Sequence, residues 1–146
     1  MEQLLQLLIK FFADGGVVPP EVKDDDTNRE GTYLYELPTE PRNAVSFNLY
    51  GQLIPSGHKQ FQLTHLQIVV RNRDSAVAAQ MIQRIFDFAT SLTDPEKDGI
   101  QEIDGNYFMF DVQNGPVRIG QDAHQNMLWS LSIPIKCRTA IGGVYG

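Results

Sequence analysis

Two stretches of this sequence alternate apolar and polar side chains so regularly that they commit the chain to a sheet with one buried face. Between Phe61 and Val70, Leu66, Ile68 and Val70 share one parity with Thr64, while His65 and Gln67 fall on the other. Between Leu128 and Cys137, Trp129, Leu131, Ile133, Ile135 and Cys137 share a parity opposed by Ser130, Ser132 and Lys136. Successive strand side chains point to opposite faces, so this period buries one row and hydrates the other. Val45, Phe47 and Leu49 repeat the pattern against Ser46, Asn48 and Tyr50. Pro134 has no N–H for a ladder, which predicts that its stretch lies at a sheet edge or a bulge.

Helical periodicity appears twice. Asp74 precedes an arc of Val77, Ala78, Met81, Ile82, Ile85, Phe88, Ala89 and Leu92, and its carboxylate suits the free amides and positive dipole of a first turn. Asp94-Pro95 ends that helix. At the N-terminus, Leu4, Leu5, Leu7, Leu8, Ile9, Phe11 and Phe12 cover about half a helical circumference, whereas one sheet requires an arc of only about 100°. One edge of this helix is therefore expected to meet a second surface, either a loop or another subunit. Glu2 stands where a signal sequence has a basic leader, and Gln6 and Lys10 interrupt the apolar run, so the segment reads as a retained helix. Asp14-Gly15-Gly16 stops it, because glycine takes the left-handed cap without a Cβ penalty.

The segment from Val17 to Gly31 holds Pro19-Pro20 and the run Asp24-Asp25-Asp26 and reads as an acidic, mobile loop. A short strand is expected at Tyr33 to Leu37, then turns at Pro38 to Pro41 and at Pro55-Ser56-Gly57. After an acidic turn at Glu96 to Gly99 come strands at Ile100 to Ile103, at Tyr107 to Val112, which should be central, and at Val117 to Asp122, with a further turn near Ala123 to Asn126. The order implies an α+β fold: a two-layer domain over residues 1–138, with a mainly antiparallel sheet of four or more strands and two helices on one face. Residues 139–146 read as a flexible tail.

Nothing in the sequence assembles a catalytic set, and neither cofactor nor metal is expected. His58 follows a turn glycine, and His65 lies on a strand's polar parity. Asp122 and His124 have no obvious third ligand, although a small metal-dependent hydrolase using Asp122, His124 and His65 is a remote alternative. Cys137 shares parity with Trp129 and Ile133 and reads as a buried small hydrophobe. No Gly-x-Ser-x-Gly or phosphate loop occurs. A lone cysteine cannot form an internal disulfide, which suits a reducing compartment. Asp24-Asp25-Asp26 lacks the alternating register of a calcium loop and reads as solvated. The balance of 12 Lys and Arg against 18 Asp and Glu gives a formal charge of −6, which opposes stable binding to phosphate backbones. No apolar run approaches the ~20 residues of a membrane-spanning helix.

An apolar first helix, the strand His65-Leu66-Gln67-Ile68-Val69-Val70-Arg71, the Asp74-capped helix, Pro116-Val117-Arg118-Ile119-Gly120-Gln121-Asp122 and a final strand led by Trp129 together resemble the tail-terminator proteins of long-tailed bacteriophages, often labelled minor capsid or tail-completion proteins. The likeness runs from about Glu2 to Arg138. It implies a non-enzymatic virion protein, assembled in the host cytoplasm, that forms a ring, usually of six copies, on the head-proximal end of the tail tube. Its partners would be further copies of itself, the tail-tube protein and head-completion or connector proteins, with DNA passing ungripped. Candidate contacts are the first helix through Leu4, Leu7, Leu8, Phe11 and Phe12, or an exposed strand edge, together with Asp24, Asp25 and Asp26. The insertion at 17–31 matches no position of that family's pattern. A head-to-tail joining protein, a stopper or head-completion factor, is the alternative.

Overall fold

The structure is a computed structural model that describes residues 2–23, 30–39, 43–55, 62–93 and 100–138. Its elements are α1 (Glu2–Asp14), β1 (Thr32–Leu34), β2 (Ala44–Pro55), β3 (Gln62–Asn72), α2 (Ser75–Leu92), β4 (Ile100–Ile103), β5 (Asn106–Phe110), β6 (Val117–Gln121) and β7 (Met127–Arg138). The strands form one sheet ordered β1-β2-β3-β7-β5-β4, with β6 also paired to β7. Among these strands only the β1–β2 pairing is parallel, and a parallel bridge also joins Glu21 to Thr32. The expected α+β class, with a mainly antiparallel sheet, is observed. Ser56, Gly57 and His58, the Glu96–Gly99 turn, Asp24, Asp25 and Asp26, and the 139–146 segment lie outside the described residues.

The two alternating stretches of sequence are direct neighbours. β3 and β7 pair along their length, and the register places Leu66 opposite Ile133, Ile68 opposite Leu131 and Val70 opposite Trp129. On the other side of β3, Val45, Phe47 and Leu49 face Val70, Ile68 and Leu66. Phe108 and Phe110 of β5 face Cys137 and Ile135. Because each strand has period two, this register gathers all the apolar rows on one face. α1 packs over β1 and β2, α2 over β3, β7 and β5, and both contribute to that single core.

Phe12 joins the layers. Its ring meets Phe88 of α2 at 5.1 Å, Phe47 of β2 at 5.4 Å and Phe110 of β5 at 6.0 Å, each close to edge-on, the geometry that aromatic quadrupoles favour. α1 ends in a Schellman turn: Val17 N donates to Phe12 O, Gly16 N donates to Ala13 O, and Gly16 has φ 77°. A Cβ on Gly15 would lie 2.6 Å from the Phe88 ring, so glycine there permits the close approach of the two helices. Asp74 caps α2 as expected, accepting from Ala76 N at 2.9 Å and Val77 N at 3.2 Å.

Three readings require correction. Val77, assigned to the inner arc of α2, lies in the first turn of the helix and is 38% exposed. The strand expected at Tyr33 to Leu37 is Thr32–Leu34, cut off where Tyr35 takes φ 71°. Pro134 lies on neither an edge strand nor a bulge of its own strand, since β7 has neighbours on both sides. Its carbonyl accepts from Asp111 N, and a strand residue's N and O point the same way, so the missing N–H faces the break between β5 and β6. In α1, Leu4, Leu5, Leu8, Ile9 and Phe12 have no exposed surface. Of the two second surfaces expected against its wide arc, a loop is present, since Val17 and Val18 of the following segment pack in the same core, and near its C-terminal end Phe11 and Phe12 meet Phe88 of α2.

Truncating Phe12→Ala should cost about 3–5 kcal/mol, because ring and cavity are lost together, while Val77→Ala should stay within about 0.5 kcal/mol of wild type. Urea unfolding of the two variants measures both.

Candidate interaction surface

The helices cover one face of the sheet, and among the described residues the other face has no layer of its own. Cross-strand rows run over that second face: Tyr50, His65 and Pro134; Asn48, Gln67 and Ser132; Ser46, Val69, Ser130 and Val117; Ile100, Met109 and Lys136; Glu102, Tyr107 and Arg138. The middle is small and polar, with Gln67 Nε2 donating to Ser130 Oγ at 3.5 Å. Towards β1 the segment 35–39 folds over the face and buries Arg71, whose Nη2 donates to Pro38 O at 2.6 Å.

Apolar side chains stand out at the rim of this face. Tyr50, stacked on His65 at 5.1 Å, is exposed, as are Ile100 and Tyr107. On β6, Val117 is 61% exposed and Ile119, at a bulge between Arg118 and Gly120, is 56% exposed. Antiparallel sheets tolerate a solvated face, but one that carries aliphatic side chains and unpaired strand edges is suited to meeting another protein.

The residues that could carry chemistry are dispersed. His65 pairs with Pro134, whereas Asp122 and His124 follow β6 beside Met127, and the intervening stretch of β7 spans roughly 24 Å at ~3.4 Å per residue. The three cannot share a cation, and among the described residues no group of three His, Cys, Asp or Glu side chains is placed to hold one. Asp122 organises its own turn instead, accepting from His124 N, Asn126 N and Asn126 Nδ2 at 2.9–3.0 Å. Desolvation by burial pushes its carboxyl up, but the Asn126 and His124 hydrogen bonds and the nearby Arg71 outweigh it, and the net pKa is lowered. Cys137 is buried, and desolvation pushes its thiol up to about 11, which removes the thiolate a nucleophile needs.

Two hollows remain. One, of about 520 Å³, lies between Gln6 and Lys10 of α1, Glu21, Lys23 and Asp104, and Gln6 Nε2 donates to Glu21 Oε2 across it. The other, of about 310 Å³, lies on the uncovered face between His65, Asp111, Gln113 and Lys136. Neither brings a nucleophile, base and oxyanion donors together. Of the contacts expected from sequence, Leu4, Leu7, Leu8 and Phe12 are buried in the protomer and Phe11 is half-buried. The exposed aliphatics of β4 and β6 were missed as a surface, although their strands were legible. Only the pairing order reveals that these strands are edges.

Residues 13–138 match the sequence model of a family described as bacteriophage tail terminator protein. No curated protein matches the chain. The matched stretch takes in every strand and α2 but begins at the last turn of α1. Among the described residues no helix is long and apolar enough to cross a membrane.

A thiol reagent should leave Cys137 unmodified in the native protein and label it fully once the chain is unfolded; labelling at equal rates in both states would contradict its burial. Because the native pKa of Asp122 is depressed, its contribution to stability is present above the ordinary carboxylate range near pH ~4 and is lost as pH falls through the lower native value. The stability gap between wild type and Asp122→Ala should therefore be widest above pH ~4 and shrink below it, as followed by urea unfolding across that range.

Proposed function

The chain belongs to the bacteriophage tail terminator family, a family of structural tail proteins, and from that membership we propose that it ends tail-tube growth by forming a ring on the head-proximal end of the tube. The observation that carries this reading is the family match over residues 13–138. Six copies make the ring, which also presents a surface to head-completion or connector proteins and so joins tail to head.

The physical character of the chain supports a scaffold role. Its potential catalytic side chains are separated, buried or committed to turns, while the uncovered sheet face and the open edges of β4 and β6 offer surface for assembly. The formal charge of −6 disfavours stable binding of a phosphate backbone, which suits a ring that DNA passes without being gripped. Assembly begins in the host cytoplasm and ends in the virion.

Purified full-length protein added to growing tail tubes should stop elongation and appear in electron micrographs as a ring at one end of each tube. Tubes that keep growing, or protein that decorates the portal end of filled heads and ignores tubes, would refute the terminator reading; the second result would favour a stopper.

A further inference from the structure

β5 and β6 lie end to end along the same side of β7. β5 pairs with residues 135–138, β6 pairs with residues 127–130, and the segment 111–116 links them. β4 fills the next lane outward along β5 only. Among the described residues the lane beside β6 is empty over Val117–Gln121, so this outer edge presents unpaired backbone amides and carbonyls. The most exposed large apolar side chains of the described residues, Val117 and Ile119, stand on that strand. Edge strands are normally blunted, and Pro116 and the bulge at Ile119 confine any pairing to one short strand without removing the edge.

Resting on the ring reading above, we propose that the empty lane beside β6 receives β4 of a neighbouring copy, and that this strand-to-strand contact joins successive subunits. β4 is the fitting occupant on three counts. It is itself an unpaired edge, of 4 residues against the 5 of β6. Ile100, 44% exposed, and Val117 both belong to the uncovered sheet face, so a sheet continued with its faces preserved brings these aliphatics together. The third count is that the two edges are unlike: joining β6 to β6 or β4 to β4 gives a two-fold contact that stops at a dimer, whereas β4 on β6 gives the head-to-tail contact a ring requires. Each copy then gives one strand and accepts one, a head-to-tail contact of the kind that closes into rings.

The test is a disulfide placed across the contact in the full chain, carrying Ile100→Cys and Val117→Cys. Within one protomer the rows of Ile100 and Val117 meet β7 at Lys136 and Ser130, roughly 20 Å apart at ~3.4 Å per residue, too far for a disulfide that needs Cα atoms within about 7 Å. Cys137 is buried and adds no background. After mild oxidation the double variant should run on a non-reducing gel as a ladder rising to the copy number of the ring, while each single variant stays monomeric. A double variant that assembles with the mass of wild-type rings but yields no ladder overturns the β4–β6 contact and leaves the ring reading standing. Self-linking by Val117→Cys alone, or its linkage to tail-tube protein instead, also overturns it. If wild-type protein stays monomeric with and without tail-tube protein, the ring reading fails and the inference fails with it.

Discussion

One-sided burial governs this molecule. The register of β2, β3, β7 and β5 aligns every strongly apolar row on the same face of the sheet, and a slip of one residue in any pairing would send that row into solvent. Two helices suffice to cover the face because they divide it, α1 over β1 and β2 and α2 over β3, β7 and β5, with Phe12 and Phe88 closing the seam between them. The side-chain-free Gly15 is a consequence of that seam, since a Cβ there would collide with the Phe88 ring.

The same constraint decides which surfaces are available for assembly. The apolar side chains of α1 are buried or half-buried within the protomer, in one core with Val17, Val18 and Phe88, so the helix with the greatest apolar width offers a partner little. Among the described residues what remains is the uncovered sheet face, poor in charge at its centre, and the outer lane of the sheet, filled beside β5 and empty beside β6. A tail terminator is a structural protein whose role rests on contacts. The family match begins at residue 13 and covers the sheet to the end of β7, the part of the chain that carries these edges.

The sequence revealed most of the fold for reasons that can be traced to particular residues. Alternation in 61–70 and 128–137 marked β3 and β7 because one face of each is buried, and Asp74 marked α2 because a cap is a local device. Sheet edges were not legible in the same way. That β5 and β6 are collinear along β7, and that Pro134 falls opposite their break, depends on pairings between residues distant in sequence. The breadth of the α1 arc was legible but ambiguous, because periodicity gives the angle an apolar stripe covers and not what covers it. The sequence allowed a loop or a subunit and made the helix a candidate contact, whereas in the protomer Val17, Val18 and Phe88 share its core.

The central claim is that assembly uses the open side of the sheet and leaves the helical layer as it is in the protomer. Hydrogen exchange on the full chain, alone and seated on tail tubes, tests it most directly. Amides of β4 and β6 should gain protection on assembly while those of α1 exchange at the same rate in both states. Protection gained along α1 with β4 and β6 unchanged would contradict the account.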